Sequence, residues 1–301
     1  MKAAQVTAYG ETDTVIVGEN VPDPVPKPGQ VFATVKAASF NPFDASVRKG
    51  LMQKMIPIPL PYIPGGDFAG VTTDGREVFG TAIVVSGGSG AFAGFTAANE
   101  ANIAPKPARA SFEEAAAMPL VATSSITALE ENMKLQPGQK ILIHGGAGGI
   151  GHIAIQLAKS MGAWVTTTVR TKDIDFVNTL GADEVIDFTK DDFSKKLRDL
   201  DAVYDTVGGE VTVKSFIVLK KGGVLVSMKG PPDAALSSQY GVTGIGQNTK
   251  QTTEHLTRVA QLFDSGKFKV HIDKTFPLTD VVTAWRFVEA GGIQGKVVLT
   301  I

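Results

Sequence analysis

The octapeptide His144-Gly-Gly-Ala-Gly-Gly-Ile-Gly151 constrains this chain more than any other segment. It follows an apolar run, Lys140–Ile143. It opens a segment in which Ile150, Ile153, Ala154, Leu157, Ala158 and Met161 recur at helical spacing. Gly146, Gly148 and Gly151 form G-x-G-x-x-G, a weak signal by itself in a chain with 33 glycines. Its place between a strand and an amphipathic helix gives it force. There the first glycine is expected to permit the tight turn, the second to let the backbone approach a pyrophosphate, and the third to let helix and strand pack closely. The amides and positive dipole end of the helix N-terminus then face the phosphates. The competing reading is a glycine-rich turn with no ligand.

Around this turn the order is regular. Strands are expected at Lys140–Ile143, Trp164–Val169, Glu184–Asp187, Ala202–Asp205 and Gly223–Met228. Helices alternate with them: one running to Met161, then Asp173–Leu180, Asp192–Leu200 and Val211–Leu219. Such alternation implies a parallel sheet covered on both faces, the doubly wound α/β class. The flanks differ. Val21–Gly29 carries four prolines and Met55–Pro64 is similarly broken, so both are expected to be extended and unladdered. Gln30–Ala37 alternates as a strand, and Asp74-Gly75 fits a turn between strands Ala69–Thr72 and Glu77–Phe79. Ser111-Phe-Glu-Glu114 has capping-box spacing and starts helical sequence to about Lys134, broken at Pro119. Helices at Thr253–Ser265 and Thr279–Ala290 precede a terminal strand in Gly295–Ile301. The expected organisation is a discontinuous β-rich domain, residues 1–110 and 268–301, with a nucleotide-binding domain, 111–267, inserted in it.

Composition narrows the function classes. The formal charge is −1, which offers no global attraction to nucleic acid or anionic membrane. No run of about 18 apolar residues occurs, so no membrane span is expected. The N-terminal segment reads as neither a signal nor a transit peptide, which makes the cytoplasm the expected compartment. There are no cysteines, which removes disulfides, thiolate metal sites and a catalytic thiol together.

An NAD site usually places a carboxylate about 20 residues beyond the glycines, on the ribose 2′-hydroxyl. Here that region reads Val169-Arg170-Thr171-Lys172. Arg170 can grip a 2′-phosphate bidentately and Lys172 adds a point charge, which points to NADPH. The alternative is that both cations are solvated and that Asp173 or Asp175 serves the ribose of NADH. Asp205-Thr-Val-Gly-Gly209, with Thr206 and Val207, and the segment at Ser227 and Met228 follow later strands. Both are expected to line the cofactor, with ordinary βα loops as the alternative.

Taken together, Asn41-Pro-Phe-Asp44, Ile63-Pro-Gly-Gly-Asp-Phe-Ala-Gly70, the glycine turn, Leu180–Asp187, Ala202–Gly209 and Gly295-Lys-Val-Val298 resemble the zinc-free quinone oxidoreductase branch of the medium-chain dehydrogenase/reductase superfamily. Within it the chain most resembles chloroplast-envelope-type quinone and alkenal reductases. The resemblance implies a Rossmann sheet inserted in a GroES-like β domain, and hydride transfer from NADPH to a small-molecule quinone or enone. It implies a homodimer joined through cofactor-domain sheets, at or after Gly223–Met228. Zinc members of the superfamily carry cysteine at the position of Asn41, histidine at that of Gly66 and a further cysteine near Thr123, so no metal is expected. The resemblance places Asn41 and Thr127 near the nicotinamide, with a turn residue before Pro42 as the alternative reading of Asn41. It adds Ala147, Gly149, Ile150, Thr171, Phe188 and Lys296 to the cofactor contacts. Tyr62 is a candidate proton donor, with a core aromatic as the alternative. Asp44 is expected to orient Arg48 or a backbone amide. Related reductases often carry tyrosine where this chain has Ser46, Met52 and Phe188. A third reading is an NADPH-binding protein with little turnover, acting as a sensor or structural component.

Overall fold

The computed structural model describes Met1–Ile301, and its contacts divide the chain into two units. The first comprises Met1–Thr123, Gln251–Gly266 and Val270–Ile301; the second comprises Ser124–Lys250 and Lys267–Lys269.

The first unit opens with an antiparallel pair, β1 (Ala3–Val6) and β2 (Val15–Gly18). The proline-rich stretch 21–29 has no regular structure, as four missing amide donors require. Strand β3 (Gln30–Ser39) is followed by the short helix α1 (Pro42–Arg48). Strands β4 (Asp67–Thr72) and β5 (Glu77–Thr81) pair antiparallel across the Asp74-Gly75 turn, where Gly75 has φ +84°. Strands β6 (Phe95–Asn99) and β7 (Ile103–Pro105) come next. Helix α2 (Phe112–Ala117) begins with the expected reciprocal cap. The Glu114 amide donates to Ser111 Oγ at 3.1 Å, and the Ser111 amide donates to Glu114 Oε2 at 2.9 Å. Pro119 then starts α3 (Pro119–Ile126).

The second unit contains a π-helix at Thr127–Asn132, then β8 (Lys140–His144), α4 (Gly151–Ser160), β9 (Trp164–Val169), α5 (Ile174–Thr179) and β10 (Glu184–Asp187). A single turn, α6 (Phe193–Lys196), leads to β11 (Leu200–Asp205), α7 (Glu210–Val218), β12 (Leu219–Ser227), α8 (Ala234–Tyr240) and β13 (Thr243–Gly246). The sheet runs β10-β9-β8-β11-β12-β13, parallel throughout. Numbered from β8 this is 3-2-1-4-5-6, the order of the dinucleotide-binding fold. Leu142, Val203, Phe216 and Leu225 lie in one core cluster of this unit. The helix expected over Asp192–Leu200 is shorter because Leu197 is already extended and Leu200 joins the sheet. Strand β13, Thr-Gly-Ile-Gly, has too little β-prone sequence to announce itself, and it makes β12 an interior strand.

The chain then returns to the first unit with α9 (Thr253–Asp264), β14 (Ile272–Pro277), α10 (Val281–Ala290) and β15 (Lys296–Thr300). Its seven-stranded sheet runs β14-β15-β3-β4-β5-β7, with β6 also on β3. Phe40, Phe92 and Trp285 pack edge to face in its core, with centroids 4.7 and 4.9 Å apart around Phe40. The division differs from the expected boundaries at 111 and 267. The buried face of α2, Ala115–Ala117, packs on β3 and β4. The Asp264 carboxylate at the end of α9 accepts the amides of Ala108 and Arg109, both at 3.0 Å.

His144 ties the centre of the parallel sheet together. Its Nδ1 lies 3.0 Å from Thr168 Oγ1 on β9, and its Nε2 lies 3.1 Å from Ser215 Oγ on α7. Burial pushes the imidazole down from 6.5 to about 4, partly opposed by Asp205. The unfolded chain therefore takes up this proton first. Its stabilising effect is full above about pH 6.5 and is lost as pH falls toward 4, by at most about 3 kcal/mol. His144→Gln should accordingly be less stable than the parent at pH 7, with the gap narrowing by pH 4.5. Urea midpoints across that range check this, and a gap independent of pH would count against it.

Candidate functional site

The glycine turn sits at the carboxyl end of β8, where parallel sheets bind ligands. Its glycines serve different ends. Gly145, not Gly146, makes the tight turn, with φ +72°. A Cβ on Gly146 would stand 2.1 Å from Thr167 Oγ1, so this position is fixed by packing against β9. A Cβ on Gly151 would stand 2.2 Å from the Gly145 carbonyl oxygen, so the start of α4 must lie on the turn itself. Gly148 differs: the Gly145 oxygen at 3.4 Å is the nearest atom to its Cβ direction. The fold therefore does not require glycine at 148, whereas a phosphate approaching the backbone does. Ala147 is buried, and Gly149 and Ile150 are half-buried beside it.

The neighbouring strand ends complete this region. Arg170, at the end of β9, is 39% exposed and gives its Nε to Asp173 Oδ2 at 3.2 Å. Asp173 is buried and paired, so it is not a free carboxylate for a ribose. Thr171 and Lys172 are exposed. Thr171 Oγ1 donates to Asp187 Oδ2 at 2.5 Å, and Thr189 Oγ1 donates to Asp187 Oδ1 at 2.6 Å. These hydroxyls hold the Asp187 carboxyl well below the usual carboxylate range. Phe188 is 54% exposed and Val207 is 49% exposed. Both line a cavity of about 460 Å³ together with His144, Lys190, Glu210 and Lys214. Thr206 Oγ1 donates to the His144 carbonyl at 2.7 Å. Asp205 accepts the amides of Val207 and Gly208, fixing that loop. Ser227 is buried at the end of β12, and the Met228 amide donates to the Asp205 carbonyl at 2.9 Å.

Thr127 opens the π-helix, and its Oγ1 is buried without a partner. Thr123 instead donates to the Pro119 carbonyl at 2.5 Å, the usual resting place of a helical threonine. A lone buried hydroxyl and an open glycine cradle within one unit are what a bound dinucleotide needs, so the residues fit the cofactor.

The first unit carries a second constellation. Ser39 at the end of β3 lies opposite Asp67 on β4 and opposite Val298 on β15. Asn41, two residues beyond, is thereby flanked by Asp67 and Lys296. Its Nδ2 donates to Asp67 Oδ2 at 2.8 Å, and its Oδ1 accepts from Lys296 Nζ at 2.5 Å. Lys296 Nζ also donates to the Phe40 carbonyl at 2.5 Å. Asp67 accepts from Gln251 Nε2 at 2.7 Å and from the Leu120 amide at 3.0 Å. Asp44 Oδ2 accepts the Asn41 amide at 2.8 Å. Asn41, Asp44, Asp67 and Lys296 are all buried. Burial raises the Asp44 carboxyl to about 7, with the nearby Asp67 adding to the rise and Lys296 opposing it. Burial also raises Asp67 and lowers Lys296.

The structure places three of the expected residues here. Lys296 is buried in the first unit, with its ammonium on the Phe40 carbonyl and Asn41 Oδ1. Of the two partners expected for Asp44, it holds a backbone amide, that of Asn41, while Arg48 reaches the Gly10 carbonyl and Glu289, both at 2.6 Å. Tyr62 is 6% exposed in the core beside β1, and burial pushes its hydroxyl up, which makes it a poor acid. Asp67 and Gln251 were not singled out from sequence. The signal for Asp67 was a lysine in an apolar strand, Lys296–Leu299, which needs a carboxylate once buried. No group of three or more His, Cys, Asp or Glu residues is placed to hold a metal ion, and no helix is long and apolar enough to cross a membrane.

Comparisons with known proteins agree with this geometry. Residues 180–299 match the family model described as zinc-binding dehydrogenase, a stretch that excludes Asn41, Gly66 and Thr123. The chain is 37% identical to a 2-methylene-furan-3-one reductase of Solanum lycopersicum, over 99% of this chain and 79% of that protein. It is 31% identical to a chloroplast envelope quinone oxidoreductase homolog of Arabidopsis thaliana, over 99% and 98%. The structure of Escherichia coli quinone oxidoreductase complexed with NADPH superimposes with a TM-score of 0.88 at 26% identity, covering all of both chains.

The two glycines separate binding from folding. Gly148→Ala should melt within about 2 °C of the parent and bind NADPH at least tenfold more weakly. Gly151→Ala should melt clearly lower. Calorimetry paired with NADPH fluorescence titration checks both, and equal losses of stability in the two variants would contradict the assignment.

Proposed function

The chain belongs to the quinone oxidoreductase branch of the medium-chain dehydrogenase/reductase superfamily, and from that premise we propose that it reduces quinones or other conjugated carbonyl compounds with NADPH, without a metal ion. The observation that carries the reading is the open cradle at Gly148 with Arg170 where an NAD site carries a carboxylate. The guanidinium, held at one edge by Asp173, is set to take the 2′-phosphate. Phe188 would offer the adenine a stacking face, and the unpartnered Thr127 hydroxyl would be available to bond the nicotinamide end.

NADPH, when bound, supplies the hydride. The chain's own residues bind, orient and keep the acceptor dry. In the first unit, the Asn41 carboxamide is held by Asp67 and Lys296. No metal assists: the Asn41 amide is engaged at both ends, Gly66 has no side chain, and the Thr123 hydroxyl is bonded to its own helix. Simple alcohols, which need a Lewis acid, are therefore poor substrates, and acceptors that are already electron-poor are good ones. Within that class, an enone is favoured as a second substrate type. Ser46 and Met52 replace the tyrosines of many quinone reductases, and the tomato relative is named for a methylene-furanone. We place the homodimer contact at β13, the edge strand of the parallel sheet, rather than at the interior strand β12.

NADPH absorbance followed against a panel of quinones, enals and simple ketones tests the activity. Turnover is expected with the first two classes only. Tight NADPH binding without turnover on any acceptor would favour the sensor reading. Arg170→Ala should weaken NADPH at least tenfold while leaving NADH within about twofold, consistent with a charge-assisted contact of about 1.5–3 kcal/mol. Equal effects on the two cofactors would remove Arg170 from the 2′-site.

A further inference from the structure

A single carboxylate joins the two strand ends that carry Arg170 and Phe188. The register of β9 with β10 ends at Val169 opposite Asp187, and the Phe188 amide donates to the Val169 carbonyl at 3.0 Å. Beyond that bond the two strands run into separate turns that the ladder does not hold together. Asp187 bridges them. Its Oδ2 accepts from Thr171 Oγ1 at 2.5 Å on the β9 side. Its Oδ1 accepts from the Thr189 hydroxyl at 2.6 Å and the Thr189 amide at 3.0 Å on the β10 side. Lys190 Nζ stands 3.3 Å from Oδ2. A carboxylate offers about four lone-pair sites, and these donors take them. Asp187 therefore has no acceptor left for a ribose hydroxyl. Its side chain is 7% exposed, while Thr171 and Thr189 are exposed residues whose hydroxyls turn onto it.

We propose that Asp187 is a positioning residue for the adenosine end of the cofactor, holding Arg170 in place through Thr171 and Phe188 through Thr189. This rests on the roles proposed above for Arg170 and Phe188, and it concerns the second unit alone. Arg170 is extended, with φ −81° and ψ 159°, and precedes the 3-10 turn Thr171–Asp173. The Asp173 amide closes that turn on the Arg170 carbonyl at 2.9 Å, and the Asp173 carboxylate takes Arg170 Nε. Asp173 thus fixes one edge of the guanidinium, and Thr171 ties the backbone beneath it to the neighbouring strand. A fork of N–H donors grips a phosphate only when it is aimed, so the tether bears on affinity as well as on the loop.

Phe188 lies between Asp187 and Thr189, so its ring projects from a backbone held on either side. That ring, Thr189 and Gly145 of the glycine turn line the same cavity of about 460 Å³, which joins the bridge to the start of the cradle. The bridge also keeps its form across the working range of pH. The Thr171 and Thr189 hydroxyls hold Asp187 ionised far below neutrality, which preserves a full set of accepting lone pairs. Its two arms serve different parts of the cofactor. Thr171 serves a guanidinium that only a 2′-phosphate needs, and Thr189 serves a ring facing the adenine that NADPH and NADH share.

That difference supplies the test. Dissociation constants for NADPH and NADH are measured by fluorescence titration, with melting temperatures, for Thr171→Val, Thr189→Val, Asp187→Ala, Arg170→Ala and the Thr171→Val/Arg170→Ala pair. Thr171→Val should weaken NADPH about fivefold, leave NADH within about twofold, and add nothing in the Arg170→Ala background. Thr189→Val should weaken both cofactors about threefold and keep their ratio. Asp187→Ala should show both patterns at once. Should it fold poorly, Asp187→Asn keeps the volume and should shift both constants in the same directions. A lowered melting temperature with both constants at the parent's values would make the bridge structural only and overturn the proposal. If Arg170→Ala discriminates between the cofactors and Thr171→Val does not, the bridge falls and the 2′-site stands. If Arg170→Ala weakens both cofactors equally, the 2′-site reading falls and the proposal with it.

Discussion

A buried ammonium cannot stand alone, and in the first unit Lys296 sets that condition. Taking such an ion out of water costs several kcal/mol unless partners surround it, and removing one partner of a buried pair typically costs about 3–5 kcal/mol. The partners come from three adjacent strands at one end of the sheet: Phe40 and Asn41 just past β3, Asp67 at the start of β4, and Lys296 itself at the start of β15. The pairing of Ser39 with both Asp67 and Val298 fixes which residues meet. A slip of one residue in either strand would turn the carboxylate or the ammonium to the opposite face. The register of the β sheet and the chemistry of Asn41 are therefore one constraint. The glycines before the cluster fit around it: a Cβ on Gly65 would stand 2.2 Å from the Phe92 ring, and that on Gly295 2.2 Å from the His271 carbonyl.

In the second unit, steric closeness does what charge does in the first. Gly146 and Gly151 let β8, β9 and α4 approach within the width of a methyl group, which brings the first turn of α4 against the end of the strand. Only then do the free amides of the helix start, and the cradle at Gly148, face the same side. His144 supports this from beneath as a neutral imidazole between two hydroxyls. A charged group there would have to be desolvated at the centre of the sheet. Burial removes that option by holding the ring neutral.

Periodic sequence was easy to read and irregular sequence was not. Strands Trp164–Val169 and Glu184–Asp187 have the expected limits because β-prone runs are bounded by glycine, a cation or a helix start. The cap at Ser111 was legible because its two partners are three residues apart. What escaped depends on distant partners. The move of α2 and α9 into the first unit rests on packing and on Asp264 reaching 155 residues back to Arg109. Strand β13 is a strand only because β12 lies beside it. In the second unit, the glycine turn was legible as one contiguous motif. The buried cluster of the first unit was not, because Asn41, Asp67, Gln251 and Lys296 come from four separated segments. Tyr62 misled for a related reason: an aromatic hydroxyl reads as a possible acid until its burial is known.

The same cluster explains why an asparagine can stand where zinc dehydrogenases need a thiolate. A thiolate is a donor of electron pairs and is useful there only with a metal to receive them. The Asn41 amide, with its oxygen bonded to an ammonium and one hydrogen to a carboxylate, is a poor substitute for that thiolate. On the proposed function, a reaction without a Lewis acid favours acceptors whose own conjugation spreads the incoming charge over those in which a single carbon–oxygen bond must hold it.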